Sequence, residues 1–225
     1  MPKQNILWFN WSTGKDSALA LYKISQNKNF KITGLVTSLT SDFNRVSMHG
    51  VRRELLQLQA KNLNIPLYTV ELPNPCSNEL YQEKMAELLS KAENENVSHL
   101  GFGDLFLEDV RQYREESLKM TNFKAEFPLW KCDTSLLANE IISSGIKAIV
   151  TCIDLKKLPL SFLGREFNHA FLNDLPKDID PCGEYGEFHT FVFEHPLFEN
   201  KIKIKTGEIR QQEELFAWID VIPYG

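Results

Sequence analysis

The sequence has no apolar run that approaches the roughly 20 residues needed to cross a bilayer. Residues 1–5 have neither the basic stretch nor the apolar core that a secretory signal needs. We therefore expect a cytoplasmic protein with no membrane partner. The net charge of −5 shows no basic excess, which argues against nucleic acid as the main substrate.

The four cysteines are too far apart to form a Cys-x-x-Cys pair or a zinc-binding pattern with the histidines. The nearest candidate metal pair is Cys182 with His189, and two isolated ligands do not make a zinc site. We expect reduced thiols that fill small spaces in the core. At 225 residues, with 43% hydrophobic and 24% charged residues, the chain is ordinary for one large globular domain or two modest ones.

Short apolar segments alternate with helical patterns in the first half of the sequence. The predicted strands are Ile6–Phe9, Ile32–Leu39, Leu67–Leu72 and His99–Phe102, and the predicted helices are Ala18–Ile24, His49–Leu63, Tyr81–Leu89 and Val110–Met120. This alternation predicts an α/β fold in which helices cover both faces of a doubly wound parallel sheet. Ligands bind such sheets at the carboxyl ends of the strands. We assign this domain to residues 1–130.

The pattern changes from about Lys131 onwards. A helix at Ser135–Ser143 and a strand at Ile146–Cys152 precede a loop-rich stretch that contains several prolines. The predicted strands after it are Phe188–Phe193, Lys201–Lys205 with a turn at Thr206–Gly207, and Leu215–Ile222. We predict a smaller α+β domain over residues 131–225.

The segment Trp11–Ser17 directly follows the first strand and directly precedes a helix. A helix N-terminus offers unpaired N–H groups and a partial positive charge, so it attracts phosphate. Gly14 permits close approach of the backbone, Lys15 adds a positive charge, and Asp16 suits a Mg²⁺ ion shared with phosphate oxygens. The candidate phosphate-binding residues are Ser12, Thr13, Gly14, Lys15, Asp16 and Ser17. A simple capped turn is the alternative, and it explains only one of these polar residues.

This loop resembles the signature SGGxDS of the ATP pyrophosphatase superfamily, which has an adenine nucleotide alpha hydrolase-like fold. The sequence departs from the signature at Thr13, where the superfamily usually has glycine. Because a β-branched residue resists positive φ, we expect a slightly reshaped loop.

Later segments narrow the resemblance to the diphthine–ammonia ligase family, and together they cover nearly the whole chain. The segments that carry it are Met48–His49, Gly103–Leu105 with Arg111 and Arg114, Pro128–Trp130, Gly164–Arg165 and, above all, Gly183–Thr190, which is similar to the family's GExGEFHT.

The chemistry of these residues leaves alternatives open. Arg111 and Arg114 are neighbours on one helix face, where they bind a phosphate or carboxylate, or pair with Glu108 and Glu115 on the surface. The residues alone favour the surface pairing. His49, near the start of a predicted helix, is either a nucleotide contact or a polar cap.

The Gly183–Thr190 segment combines glycines that permit a tight turn with groups capable of proton transfer, namely Glu184, Glu187 and His189. Glu187 and His189 are two residues apart in a predicted strand, so we expect them to face the same side. A solvated start of a hairpin is the alternative.

The resemblance implies an ATP-dependent amidation in which a carboxylate is adenylated, pyrophosphate is released and ammonia then displaces AMP. It implies ATP and Mg²⁺ as cofactors and, as acceptor, diphthine, a modified histidine on translation elongation factor 2. The implied nucleotide-binding residues are Ser12–Ser17, His49, Gly103, Arg111 and Arg114, and the implied catalytic residues are Lys15, Asp16 (also the metal ligand), Glu184, Glu187 and His189. The first domain would bind ATP and the second the acceptor. Another acceptor, such as a metabolite or tRNA, a non-catalytic ATP- or AMP-binding module, and a homo-oligomer all remain open.

Overall fold

The computed structural model describes residues 4–47, 49–212 and 215–224. Met48, part of one resemblance segment, lies outside the described residues. The strands are β1 (Asn5–Asn10), β2 (Phe30–Thr40), β3 (Arg45–Val46), β4 (Leu67–Leu72), β5 (His99–Gly101), β6 (Lys124–Glu126), β7 (Lys147–Asp154), β8 (Phe188–Glu194), β9 (Ile204–Gln212) and β10 (Phe216–Pro223). The α-helices are α1 (Lys15–Gln26), α2 (Arg53–Leu63), α3 (Asn78–Asn94), α4 (Glu108–Leu118), α5 (Thr134–Ser143) and α6 (His169–Asp174).

The first sheet is mostly parallel and reverses its strand order at β1. Its parallel strands lie in the order β4–β2–β1–β5–β6, and β3 pairs antiparallel with the end of β2. Because β2 lies on one side of β1 and β5 on the other, a crevice opens at the carboxyl ends of these strands. The fold therefore places a ligand site next to the segment that follows β1.

Different helices cover the two faces of this sheet. Leu7 and Phe9 of β1 pack in one cluster with buried residues of α1 and α2. Trp8 points to the opposite face, where it packs with Ala92 of α3 and Leu118 of α4. The predicted doubly wound α/β arrangement is confirmed.

The second sheet is smaller and antiparallel, with the strand order β8–β7–β10–β9, which confirms the predicted smaller α+β unit. The predicted turn at Thr206–Gly207 is wrong, because both residues lie inside β9, where Thr206 pairs with Val221. Strand β9 lies at the sheet edge and is exposed over most of its length, so its sequence lacks the alternation that marks a half-buried strand.

Helix α2 begins at Arg53 and its N-cap is Arg52, so the prediction of a helix that starts at His49, with His49 as its polar cap, is wrong. Gly50 has φ +66°, a conformation that interrupts a right-handed helix. His49 instead lies in the loop between β3 and α2. The short elements β3, β6 and α6 had no prediction, because two to six residues are too few to show a periodic pattern.

One continuous hydrophobic cluster joins the two sheets. It contains Leu7 of β1, Leu19 of α1 and Phe191 of β8, all fully buried. A histidine adds a polar contact, since His195 Nε2 lies 3.1 Å from the carbonyl oxygen of Ala18 in α1. The core therefore holds β8 against the helix that follows β1. Among the described residues, no helix is long and apolar enough to span a membrane.

Candidate active site

A cavity of about 780 Å³ opens at the carboxyl ends of β1, β2 and β5, within the size range of small-molecule sites. Nine of the predicted site residues line it: Ser12, Lys15, Asp16, Ser17, His49, Gly103, Arg114, Glu184 and His189. Four others lie outside its lining: Thr13, Gly14, Arg111 and Glu187. The structure thus brings together residues from both sheets that are up to 177 positions apart in the sequence.

The N-terminus of α1 forms one wall of the cavity. Gly14, the N-cap residue, has no side chain to cap the helix, and the Thr190 hydroxyl accepts from the N–H of Lys15 at 3.1 Å. The Ser12 hydroxyl donates to the Ser17 hydroxyl at 3.0 Å, and Ser17 in turn donates to the carbonyl oxygen of Gly14 at 2.9 Å. The helix therefore presents its positive end to the cavity, an arrangement that binds phosphate. The two serine hydroxyls line the same space and would turn away from these partners to donate to a phosphate oxygen.

Two glycines allow the backbone around this helix end to pack closely. A Cβ atom on Gly14 would lie 3.0 Å from Cε1 of His49 and 3.2 Å from the carbonyl oxygen of Thr190. A Cβ atom on Gly103 would lie 3.0 Å from both Cα and N of Ser17. Gly14 and Gly103 thus shape the site through close contact, and any side chain there would displace its wall.

Thr13 adopts φ +75°, a backbone conformation that glycine adopts far more easily than other residues. The expected reshaping of the loop is therefore wrong: the loop keeps a glycine-like backbone in spite of the threonine. Tertiary contacts hold it there, since the Thr13 carbonyl oxygen accepts from the Val192 N–H at 2.9 Å and from Gln59 Nε2 at 3.2 Å.

Gln59 organises this loop from α2, and the sequence predictions did not include it. Its side-chain oxygen accepts from Trp11 Nε1 at 2.7 Å, and its Nε2 also donates to the Val192 carbonyl at 2.6 Å. Gln59 is fully buried. A glutamine on the otherwise apolar face of a helix, next to Leu55 and Leu63, was the signal that indicated such a role.

Comparing Thr13→Gly with Thr13→Ala isolates the backbone strain at this position. Both changes remove nearly the same side chain, but only glycine relieves the positive φ. We expect the glycine variant to be more stable than the alanine variant by about 1 kcal/mol, measured by denaturant unfolding. Equal stabilities would show that the loop is unstrained at Thr13.

Lys15 and Asp16 form an ion pair beneath the loop. Lys15 Nζ lies 2.9 Å from Asp16 Oδ2 and also donates to the Cys182 carbonyl. It lies 4.8 Å above the centroid of the Phe188 ring. Burial lowers the pKa of Lys15, but Asp16 opposes this strongly enough that the pKa is raised overall. The ammonium stays charged, and the described residues occupy two of its three N–H donors.

Asp16 has an oxygen available for a further ligand. Its Oδ1 is buried and has no hydrogen-bond partner in the described part of the chain. Over the same residues, no group of three or more histidine, cysteine or carboxylate side chains could hold a metal by itself. Asp16 therefore fits a Mg²⁺ ion that takes its other ligands from water and phosphate oxygens, as this ion commonly does.

The His49 ring, from the loop before α2, lies close to the His189 ring of β8, with the ring centroids 4.6 Å apart. His49 Nδ1 also lies 3.4 Å from the carbonyl oxygen of Thr190. Burial lowers the pKa of His49 to about 4 and moves the pKa of His189 well below its ordinary value. Both rings are consequently neutral at pH 7, where they can accept or donate a hydrogen bond without adding charge.

Glu184 lines the cavity in a firmly held turn. Its Oε1 accepts from the Leu105 N–H at 2.9 Å, and Asp180 Oδ1 accepts from the N–H groups of Cys182 and Glu184 at 2.9 and 3.3 Å. Burial raises the pKa of Glu184 to about 7, with a smaller contribution from the charge of Asp16. A carboxyl group with this pKa can accept or donate a proton near neutral pH.

The Glu187 and His189 side chains do not line the same cavity, so the expectation that they face the same side is wrong. Strand β8 begins at Phe188, so the strand period does not extend to Glu187. The Glu187 carboxylate lies 3.4 Å from the Asp180 N–H and 3.7 Å from Lys157 Nζ, outside the cavity lining. His189 lines the cavity.

Of the two arginines of α4, only Arg114 lines the cavity. Arg111 pairs with Glu115 at 2.7 Å and lies over the rings of Phe127 and Trp130, away from the cavity lining. This is the surface pairing with Glu115 that the residues alone favoured. Arg114 lines the cavity, where it pairs with Asp104 at 2.7 Å.

The sequence matches two family models, described as the N-terminal domain of diphthamide synthase over residues 5–123 and its C-terminal domain over residues 133–221. It is 30% identical to a diphthine–ammonia ligase of Bos taurus and 27% identical to one of Homo sapiens. Each match covers 71% of this chain and 65% of the relative. A diphthine–ammonia ligase of Danio rerio is 28% identical over 74% of this chain and 72% of the relative. The chain thus spans 65% of the length of the mammalian relatives.

Proposed function

Because the chain belongs to the diphthamide synthase family, we propose that it is an ATP-dependent ligase that converts a carboxylate into an amide with ammonia. The observation that carries this proposal is the composition of one cavity. The N-terminal end of α1, which suits phosphate, and the Glu184 carboxyl group, whose pKa is raised by burial to about 7, line the same space. The first suits a nucleotide, and the second suits proton transfer at the acceptor.

In the first step, the acceptor carboxylate attacks the α-phosphorus of ATP and diphosphate leaves. The departing phosphates would lie on the Ser12–Ser17 segment, where the α1 N–H groups, the two serine hydroxyls and the remaining N–H of Lys15 stabilise their charge. Asp16 would hold Mg²⁺, which supplies further neutralisation of the phosphate oxygens. Gly103 keeps the end of β5 close to Ser17, so its role is to shape this site.

The apolar part of the cavity suits the adenine base. It lies between α3 and α4 and is lined by Met85, Leu88, Leu100 and Phe102, with Arg114 at its side. A flat base gains stabilisation from burial against such side chains. Arg111 and Glu187 take no part in this proposal, since their side chains lie elsewhere.

In the second step, the ammonia nitrogen attacks the acyl carbon and AMP leaves with the bonding electron pair. The attacking nitrogen must lose a proton, and we assign its acceptance to the ionised Glu184 carboxylate. The neutral His189 ring offers a hydrogen bond to the acceptor, whereas the His49 ring packs at Gly14 on the nucleotide side of the cavity. Residues 131–225, which supply Glu184 and His189, would form the acceptor domain, and residues 1–130 the ATP domain.

Diphthine is the acceptor we propose, because the relatives are named diphthine–ammonia ligases. The family resemblance of the sequence adds elongation factor 2 as the proposed carrier of this residue. The cytoplasm is the proposed location. A purely ATP-sensing module is disfavoured, because its support was the expected reshaping of the loop at Thr13, which keeps a glycine-like backbone.

The products of the nucleotide test this function. With ATP, ammonia, Mg²⁺ and diphthine-bearing elongation factor 2, we expect AMP and diphosphate in amounts equal to the amide formed. Omission of ammonia or of the acceptor should stop amide formation. ADP and phosphate as the products, or turnover with no dependence on a carboxylate acceptor, would contradict the proposal.

A further inference from the structure

The segment of residues 45–52, which comprises β3 and the loop that carries His49, is held by β10 of the second sheet. We call this segment the His49 loop. Asp220 of β10 accepts from Arg52 Nε at 2.9 Å through Oδ1 and from Arg52 Nη2 through Oδ2. Arg45 Nη2 donates to the same carboxylate at 3.0 Å. One carboxylate, with a side chain only 10% exposed, therefore joins both ends of this loop. A two-pronged contact of this kind fixes orientation as well as distance.

A second contact lies at the middle of the His49 loop, where Gly50 packs against Trp218 of β10. A Cβ atom on Gly50 would lie 2.8 Å from Cδ1 of Trp218, and Gly50 has φ +66°. Arg45 Nη1 also donates to the Gly50 carbonyl at 2.7 Å. Strand β10 thus supports the loop through an ion pair at each end and an indole ring at its centre.

On its other side, this loop delivers His49 to the nucleotide site. The His49 ring fills the space that a side chain at Gly14 would need, and its Nδ1 lies 3.4 Å from the Thr190 carbonyl. Asp220 itself lies outside the cavity lining. The chain of contacts therefore runs from Asp220 through the two arginines and the loop to His49, and from there to the start of α1.

We propose that Asp220 is a positioning residue that keeps His49 against Gly14 and so completes the wall of the nucleotide site. The consequence for ATP rests on the proposed function, whereas the placement of the His49 ring does not. Loss of the Asp220 charge leaves Arg45 and Arg52 facing each other without the anion between them. The loop then moves away from β10, and the His49 ring gains access to water.

Asp220→Asn tests this proposal with two readouts in the folded protein. The first is the titration of the His49 ring by proton NMR, with the signal assigned through a His49→Asn spectrum. The pKa should rise from about 4 towards the ordinary value of 6.5, because the ring regains solvation. The second is ATP affinity by calorimetry, which should fall by about 10-fold if one wall of the site loosens.

Asp174→Asn is the matched control, because it breaks the Arg165–Asp174 ion pair of the C-terminal half, whose distance is 2.7 Å. It should leave both the His49 titration and ATP affinity unchanged. Should Asp220→Asn fold poorly, Arg52→Lys keeps the charge but loses the two-pronged contact, and it should shift both readouts in the same direction.

An Asp220→Asn protein that melts earlier but keeps the native His49 titration would overturn the proposal, because Asp220 would then contribute stability alone. A shifted titration in a protein that never binds ATP would support the positioning role and contradict the proposed function. The positioning role of Asp220 and the proposed ligase function can therefore be contradicted independently of each other.

Discussion

Replacing Asp16 with asparagine is expected to lower AMP formation by about 10³-fold at saturating ATP and Mg²⁺. The amide keeps the shape of the side chain but removes the negative charge that would share Mg²⁺ with the departing phosphates. The unpartnered Oδ1 at the cavity is the atom on which this expectation depends. Steady-state release of AMP, measured over a range of Mg²⁺ concentrations, gives the size of the effect.

The Asp16→Asn change also leaves the buried Lys15 ammonium without its counter-ion, which destabilises the fold. The double variant Asp16→Asn with Lys15→Met removes that unpaired charge and should regain thermal stability. It should not regain turnover, because both the metal-binding carboxylate and the Lys15 ammonium that would contact the phosphates are missing. Turnover within a few fold of the native rate in the folded Asp16→Asn protein would exclude the metal-binding role.

Glu184→Gln is expected to slow amide formation by about 10²- to 10⁴-fold and to leave adenylation nearly intact. Only the attack of ammonia needs a proton acceptor, so ATP–diphosphate exchange with the acceptor alone should continue. Because the base acts in its ionised form, the native rate should rise as pH increases through about 7. The glutamine variant should lack that rise. Rates must be compared at equal concentrations of unprotonated ammonia.

Glu187→Gln makes the same chemical change three residues away, at a side chain outside the cavity lining. It should keep the native pH profile. If Glu187→Gln abolishes the rise and Glu184→Gln preserves it, the assignment of the base is wrong.

The raised pKa of Glu184 also has a consequence for stability. Folding raises the pKa of this carboxyl group from its ordinary value of 4.5 to about 7. The contribution of Glu184 to the free energy of unfolding is therefore fully present at low pH and is lost as the pH rises through about 7. Glu184→Gln should therefore unfold at higher denaturant concentration than the native protein at pH 8. The native side chain thus lowers stability at the pH where it would act as a base.

The sequence predicted the phosphate-binding end of α1 because its signal is local. A strand, a short polar loop and a helix follow one another over about 20 residues, and the helix end is the site itself. The backbone of Thr13 was not predictable in this way. Local preference opposes a positive φ, and the partners that impose it, Gln59 and Val192, are 46 and 179 residues further along the chain.

The acceptor side shows the same limit. Gly183–Thr190 was recognised as a polar turn, but strand periodicity does not say where β8 begins, and so it misplaced Glu187 relative to His189. The support of His49 by Asp220 connects two segments that are 171 positions apart, each of which looks like ordinary charged surface in the sequence. Only the packing of the second sheet on the first brings them together.

The most direct measurement follows an oxygen atom. Diphthine-bearing elongation factor 2 labelled with ¹⁸O at both oxygens of the acceptor carboxylate is incubated with this protein, ATP, Mg²⁺ and ammonia, and the nucleotide products are analysed by mass spectrometry. If the carboxylate attacks the α-phosphorus, one ¹⁸O atom must appear in AMP for each amide formed, and none in diphosphate. Label in inorganic phosphate with release of ADP would show attack at the γ-phosphorus and would contradict the adenylation mechanism.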